Sequence, residues 1–279
     1  MHMTTNPQNL ILVTGATGTT GRRVAERLAA RGVPTRSGSR NGRPPFDWAD
    51  ESTWPAVLDG VTAAYLVYYP DIVAPGAVET VERFARLAVR SGCRRLVLLS
   101  GRGEEAAQRA EQVVMDSGAE WTIVRSAFFA QNFSEKGFED FIRAGVVALP
   151  APEVGEPFVD ADDIADVVTA ALTEDGHTGQ LYEVTGPRLM TFAEATAEIG
   201  AATGRDLEYH RITEAEFIAG LVAQGIPEET ATVFAEIFGT VLDGRNAYLT
   251  NGVERALGRP PRDFTEYARD AAATGVWHA

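Results

Sequence analysis

Gly15-Ala16-Thr17-Gly18-Thr19-Thr20-Gly21 follows an apolar run, Leu10-Ile11-Leu12-Val13, and leads into Arg22-Arg23-Val24-Ala25-Glu26-Arg27-Leu28, which has a helical pattern. Strand, glycine turn and helix in that order form a site for the pyrophosphate of a dinucleotide. Gly15, Gly18 and Gly21 let backbone N–H groups approach the phosphates, and the helix N-terminus adds a favourable partial positive charge. Thr17, Thr19 and Thr20 belong to the same candidate contact set. A glycine triplet alone is weak evidence; its place between a strand and a helix gives it meaning.

Outward from this turn, short apolar runs alternate with helical patterns, as in a parallel sheet covered on both faces. Strands are expected at Ile11–Thr14, Val33–Ser39, Phe46-Asp47, Ala63–Tyr69, Arg95–Ser100, Trp121–Arg125 and Gln180–Thr185, with Pro34 weakening the second. Helices are expected at Gly21–Arg31, Glu51–Leu58, Ala77–Ser91 and Glu104–Ser117. The predicted fold is α/β, a Rossmann doubly wound parallel sheet with a small, mostly helical C-terminal substrate-binding region. Residues 1–150 are assigned to the dinucleotide-binding core and 151–279 to the remaining core elements and the substrate region, as one intertwined unit. Gly145 to Pro157 is Gly/Pro-rich. Thr191–Glu194 and Thr213–Glu216 read as capping boxes, and Pro227 suits the first turn of a further helix.

The second strand decides which dinucleotide. NAD sites carry an acid there, about 20 residues beyond the turn, to bind the ribose 2′-hydroxyl. This chain has Arg36-Ser37-Gly38-Ser39-Arg40 and no acid before Asp47. Guanidinium groups pair with a 2′-phosphate that a carboxylate would repel. NADP(H) is therefore expected, with Arg40 and Ser39 leading and Arg36 secondary. Asp47 and Trp48 are candidates to meet the adenine. The bland alternative for the arginines is a solvated surface charge.

The net charge of −14 over 279 residues argues against broad nucleic-acid or anionic-membrane binding. A single cysteine excludes an internal disulfide and fits a reducing cytoplasm. The four histidines have no ligand-like spacing, and Asp160, Asp162 and Asp163 read as first-turn acids of a helix, so no metal is expected. No apolar run is long enough to span a bilayer. The polar N-terminus does not read as a signal peptide, and Met1-His2-Met3 reads as an added start. A monomer or homodimer acting on a small molecule is expected.

Thr14–Gly21, Arg40, Leu96–Ser100, Ser117–Arg125, Phe158–Ile164, Leu181–Pro187 and Leu257–Pro261 together resemble the NmrA-like, NAD(P)H-binding branch of the atypical short-chain dehydrogenases/reductases. Relatives in that branch include quinone, isoflavone and ergot-alkaloid reductases and polyketide ketoreductases. The resemblance implies an NADPH-dependent oxidoreductase. Two departures stand out: the helix after the fifth strand offers Ala107, Gln108 and Arg109 where many relatives carry a lysine, and Ser126 replaces a frequent proline. The chain's one lysine, Lys136, has Asn132 four residues before it, so the Tyr-x-x-x-Lys pair of short-chain dehydrogenases is missing.

Hydride transfer needs mainly a positioned nicotinamide and a dry pocket. Ser100 could hydrogen-bond a substrate carbonyl or contact the cofactor ribose, and both readings stay open. Tyr68 and Tyr69 border the nicotinamide side, either as a proton donor or as packing. Asn132 could orient a substrate oxygen or cap local backbone. Phe128, Phe129, Phe133 and Phe138 are core or pocket; as pocket they suit a flat aromatic ketone, quinone or imine. The rival function is an inactive NADP(H)-binding redox sensor of the NmrA type.

Overall fold

The computed structural model describes residues 9–135 and 137–278; Met1-His2-Met3, the polar N-terminus before Asn9 and Lys136 lie outside the described residues. The chain divides into two compact units: one from the chain through Ser126, Ala161–Val184 and Asn251–Arg259, the other from Ala127–Asp160, Thr185–Thr250 and Pro260 onward. The first unit begins with β1 (Leu10–Thr14), α1 (Thr19–Ala30), β2 (Thr35–Gly38), α2 (Trp54–Leu58) and β3 (Val61–Leu66). It continues with α3 (Ala77–Arg90), β4 (Arg95–Gly101), α4 (Glu105–Met115) and β5 (Glu120–Ser126). The second unit then supplies α5 (Asn132–Glu135), α6 (Phe138–Ala144) and β6 (Val146–Leu149), before α7 (Ala161–Thr173) and β7 (Gln180–Val184) return to the first. α8 (Phe192–Thr203), β8 (Glu208–Arg211), α9 (Glu214–Ala223) and α10 (Glu228–Thr240) belong to the second unit. α11 (Gly252–Leu257) belongs to the first, and α12 (Phe264–Ala273) to the second.

Six strands of the first unit form a parallel sheet in the order β2-β1-β3-β4-β5-β7. The central strand β1 buries Ile11, Leu12 and Val13 to 2% exposure or less, because helices cover both faces of such a sheet. The chain passes from β1 to β2 on one side and to β3 on the other. That reversal opens a crevice at the C-terminal end of β1, where ligands of doubly wound sheets bind. Helix α1 packs Val24 and Leu28, one turn apart, and ends at Gly32, whose φ of +67° lets Val33 N donate to Leu28 O at 2.9 Å. Its arginines reach α7: Arg23 meets Asp162 at 3.3 Å and Arg27 meets Asp162 at 2.7 Å.

β2 starts after Pro34 and is shorter than expected. Proline is tolerated on this edge strand, and its carbonyl accepts from Ile11 N at 3.0 Å. Phe46-Asp47 does not become a strand of the sheet. Asp47 makes an isolated bridge to Asp50 and accepts from Ala49 N at 3.0 Å. The resulting turn directs Phe46 inward against Phe84 of α3, which also meets Trp48 and Trp54 edge-on at 4.9 and 5.3 Å. Each such pair adds about 0.5–1.5 kcal/mol beyond burial.

The second unit pairs β6 with β8 in parallel, from Val146↔Glu208 to Leu149↔Arg211. β6 thus falls inside the stretch that composition marked only as Gly/Pro-rich. Phe133, Phe158, Phe192, Phe264 and Trp277 fill its core. Among the described residues, no helix is long and apolar enough to cross a membrane.

Candidate active site

The glycine turn sits at the crevice. Gly15, with φ +61°, donates to Gly38 O at 3.1 Å, and Gly18 N donates back to Gly15 O at 2.8 Å. Gly18 is the N-cap of α1; no side chain caps the helix and no acid lies in its first turn. The helical ladder begins with Arg22 N donating to Gly18 O at 3.1 Å, so the N–H groups of Thr19, Thr20 and Gly21 precede it. A Cβ at Gly21 would lie 2.1 Å from Gly15 O. The cradle therefore requires glycine there, and it fits an anionic pyrophosphate. Thr17 is exposed, whereas Thr19 and Thr20 are buried. Thr20 Oγ1 accepts from the Tyr65 phenol at 3.0 Å, and burial pushes that phenol above its ordinary range.

At the end of β2 the expected contacts separate. Arg36 NH1 donates to Val57 O at 2.8 Å and Asp59 O at 2.6 Å, so it clamps the C-terminal end of α2. Arg40 is exposed and lies over the ring of exposed Tyr69 at 5.8 Å. Ser39 holds the intervening turn, its carbonyl accepting from Gly42 N and Phe46 N, each at 2.9 Å. Trp48 is only 7% exposed and donates from Nε1 to Val67 O at 2.9 Å. Its ring packs in the core beside Phe46, Trp54 and Phe84. Asp47 is half-buried, with Oδ1 turned to Ala49 N.

Beyond β3 and β4, Tyr68 is half-buried against Trp48 at 5.1 Å. Ser100 is 4% exposed and donates to Glu111 Oε1 at 2.6 Å. The same carboxylate receives Arg125 through both Nε and NH2. Arg125 NH1 lies 3.7 Å from Glu183, which also takes Arg102 Nε at 2.8 Å. Ser100 thus ends a chain of alternating charges along β4, α4, β5 and β7, buried at Ser100, Glu111 and Arg102. Sequence reading missed Glu111, Glu183 and Arg102; the available signal was charge inside strands and a helix that pack against a parallel sheet, where an unpaired ion is costly.

Glu104 was also missed, passing as the first residue of a helix. It is the N-cap of α4, but its side chain makes no cap hydrogen bond. A Cβ at Gly101 would lie 2.3 Å from Glu104 Oε2, so the carboxyl folds back over the end of β4. Desolvation first, and then the nearby Asp71 charge, push its pKa up to about 7.

In the second unit, Asn132 opens α5, its N–H donating to Phe129 O at 3.1 Å. Phe133 is fully buried and Phe128 and Phe138 partly so, stacked at 6.4 Å within an aromatic core. Asp160 accepts from Gln131 at 2.7 Å. In the first unit Asp163 meets Arg259 at 2.7 Å. Among the described residues no cluster of His, Cys, Asp or Glu is arranged to hold a metal ion.

No protein-family model matches the chain. It is 32% identical to an uncharacterized oxidoreductase, YesF, of Bacillus subtilis, over 97% of this chain and 98% of that protein. It is 31% identical to the NAD(P)H azoreductase of Xenophilus azovorans, over 95% and 98%. The Citrobacter sp. triphenylmethane reductase complexed with NADP(H) superposes with a TM-score of 0.76 at 19% identity, over 94% of this chain and 99% of that one.

Proposed function

The chain belongs to the NmrA-like, NAD(P)H-binding branch of the atypical short-chain dehydrogenases/reductases, and from that premise we propose that it reduces a small aromatic or polycyclic ketone, quinone or imine with NADPH. It is an NAD(P)H-dependent oxidoreductase. When bound, the dinucleotide supplies the hydride. The residues that would hold it are Gly15, Gly18 and Gly21 with the free N–H groups of the first turn of α1, and Arg40 with Ser39 for the 2′-phosphate. The observation that carries the reading is the glycine cradle at the strand-order reversal, with Arg40 and no acid at the end of β2. An azoreductase among its relatives supports a conjugated acceptor. Ser100 is committed to Glu111, so it positions the floor of the crevice more than it polarises a substrate. Tyr68, half-buried in the first unit beyond β3, is the residue proposed to contact substrate.

The test is NADPH oxidation by the purified protein with polycyclic ketones, quinones and cyclic imines, and with NADH as the control. Turnover that prefers NADPH is the expected result. Tight NADP(H) binding without turnover across the panel would replace this reading with that of a redox sensor.

A further inference from the structure

Reducing a carbonyl takes a proton as well as a hydride, and this chain has no Tyr-x-x-x-Lys pair to give one. Resting on the reductase reading above, we propose that the Glu104 carboxyl is the proton donor, held over the C-terminal end of β4 by the turn that follows Gly101. Three observations single it out among the carboxyl groups of the first unit.

The first is place. Residues 101–104 continue β4 past its pairing with β5, which ends at Gly101↔Ser126, and so leave the sheet on its C-terminal edge. This is the edge on which the glycine cradle lies and on which doubly wound sheets bind their ligands. The second is fit: the carboxyl occupies the space that a side chain at Gly101 would take, with Oε2 2.3 Å from that Cβ position.

The third is the lack of a cation. The buried Glu111 and the half-buried Glu183 are each held by arginine. Arg102, two residues before Glu104, turns to Glu183 at 2.8 Å. Among the described residues Glu104 has neither an ion pair nor a cap bond, and a charge that acts on it is Asp71, from the loop after β3. Glu105, next along α4, is exposed and faces solvent. A half-buried carboxyl beside a second carboxylate holds its proton, and burial with Asp71 pushes the pKa to about 7. A donor poised near neutral pH is the condition for efficient acid catalysis.

The chemistry balances. A hydride from the dihydronicotinamide forms the new C–H bond, and the carbonyl π pair moves to oxygen. The Glu104 O–H bond breaks as its proton forms the substrate O–H bond. The product is an alcohol (from an ortho-quinone, an α-hydroxyketone that loses its new C–H proton and gains one on the second oxygen to become the hydroquinone), NADPH is oxidised to NADP⁺, and the carboxylate takes a proton back from water.

The experiment combines a titration with kinetics, using 9,10-phenanthrenequinone as the probe. Carboxyl ¹³C NMR of the protein without cofactor should show one glutamate titrating near pH 7, absent in Glu104→Gln and moved to lower pH in Asp71→Asn. In wild type kcat should fall as pH rises through that value, since the protonated form is the donor. Glu104→Gln should lower kcat about a hundredfold or more and abolish that limb, while NADPH still quenches or shifts intrinsic fluorescence. Glu104 titrating in the ordinary carboxylate range, or Glu104→Gln retaining wild-type kcat and pH profile, overturns the proposal. Failure of NADPH to bind wild type is separately diagnostic: it overturns the reductase reading, and the proposal with it.

Discussion

A Cβ at position 21 would lie 2.1 Å from Gly15 O and 2.6 Å from Gly15 C, both backbone atoms fixed by β1 and by the Gly18 hydrogen bond. Gly21→Ala can be accommodated only by moving the start of α1 off the turn. The expected cost is about 1–3 kcal/mol of stability, the range for overpacking a tight site. The same shift disperses the N–H groups that cradle phosphate, so NADPH affinity should drop by more than tenfold. Urea unfolding and fluorescence titration of this variant measure both effects; an unchanged affinity would show that the cradle does not hold the cofactor. The glycine turn was legible in the sequence because its constraint is local: strand, turn and helix stand within twenty residues. The role of Arg36 was not, because its acceptors lie on α2, some twenty positions away, and only the folded chain brings the carbonyls of Val57 and Asp59 to it. Ser100 was located at a strand end by pattern, but Glu111, which accepts its hydrogen bond, lies on the next helix.

Elements were readable wherever a short signal set them. The capping boxes Thr191–Glu194 and Thr213–Glu216 start α8 and α9 as their spacing requires, since both hydrogen bonds close within one turn. The β6–β8 ladder was not readable, because it joins residues about sixty positions apart through short strands with little alternation. Helix α12 was likewise passed over, although Asp263 caps it by accepting from Thr265 N at 2.9 Å. Asp263 also takes Arg188 through Nε and NH2, each at 2.9 Å, and Arg188 continues to Glu198 of α8 at 2.8 Å. The Arg188 hydrogen bonds hold the Asp263 carboxyl well below the usual carboxylate range. A depressed pKa stabilises the fold above the unfolded value, near pH 4, and this stability is lost as pH falls through the lower folded value. The pair is about one-third exposed, and solvent screening reduces its contribution. Asp263→Ala should therefore cost about 1–2 kcal/mol at pH 6, mostly through the lost cap. The gap from wild type should close as pH approaches 2. Denaturant midpoints at pH 6, 4 and 2.5 check this, and a gap constant across that range would show that the Arg188 pairing contributes nothing.

For the whole molecule, enzyme and sensor differ in what each redox form must do to the native state. A ligand that binds only the folded chain stabilises it by RT ln(1 + [L]/Kd), about 2.7 kcal/mol at a hundredfold excess over Kd. For a chain of this size that raises Tm by about 5–10 °C. An oxidoreductase must accept NADPH and release NADP⁺, and the groups proposed above to hold both forms are the same: the glycine cradle for the pyrophosphate and Arg40 for the 2′-phosphate. Neither group distinguishes a reduced ring from an oxidised one. Equal concentrations of NADP⁺ and NADPH should therefore raise Tm by amounts within about 2 °C of each other, which corresponds to less than about 1 kcal/mol. NADH, lacking the 2′-phosphate proposed to pair with Arg40, should raise it less than NADPH. A sensor can move an equilibrium only by the difference in its affinities for the two forms, so it requires a wide gap between NADP⁺ and NADPH. Thermal melts with the three dinucleotides decide the matter. A separation of about 5 °C or more between NADP⁺ and NADPH would mean that the crevice reads the redox state of the ring, and regulation would then displace reduction as the function of this fold.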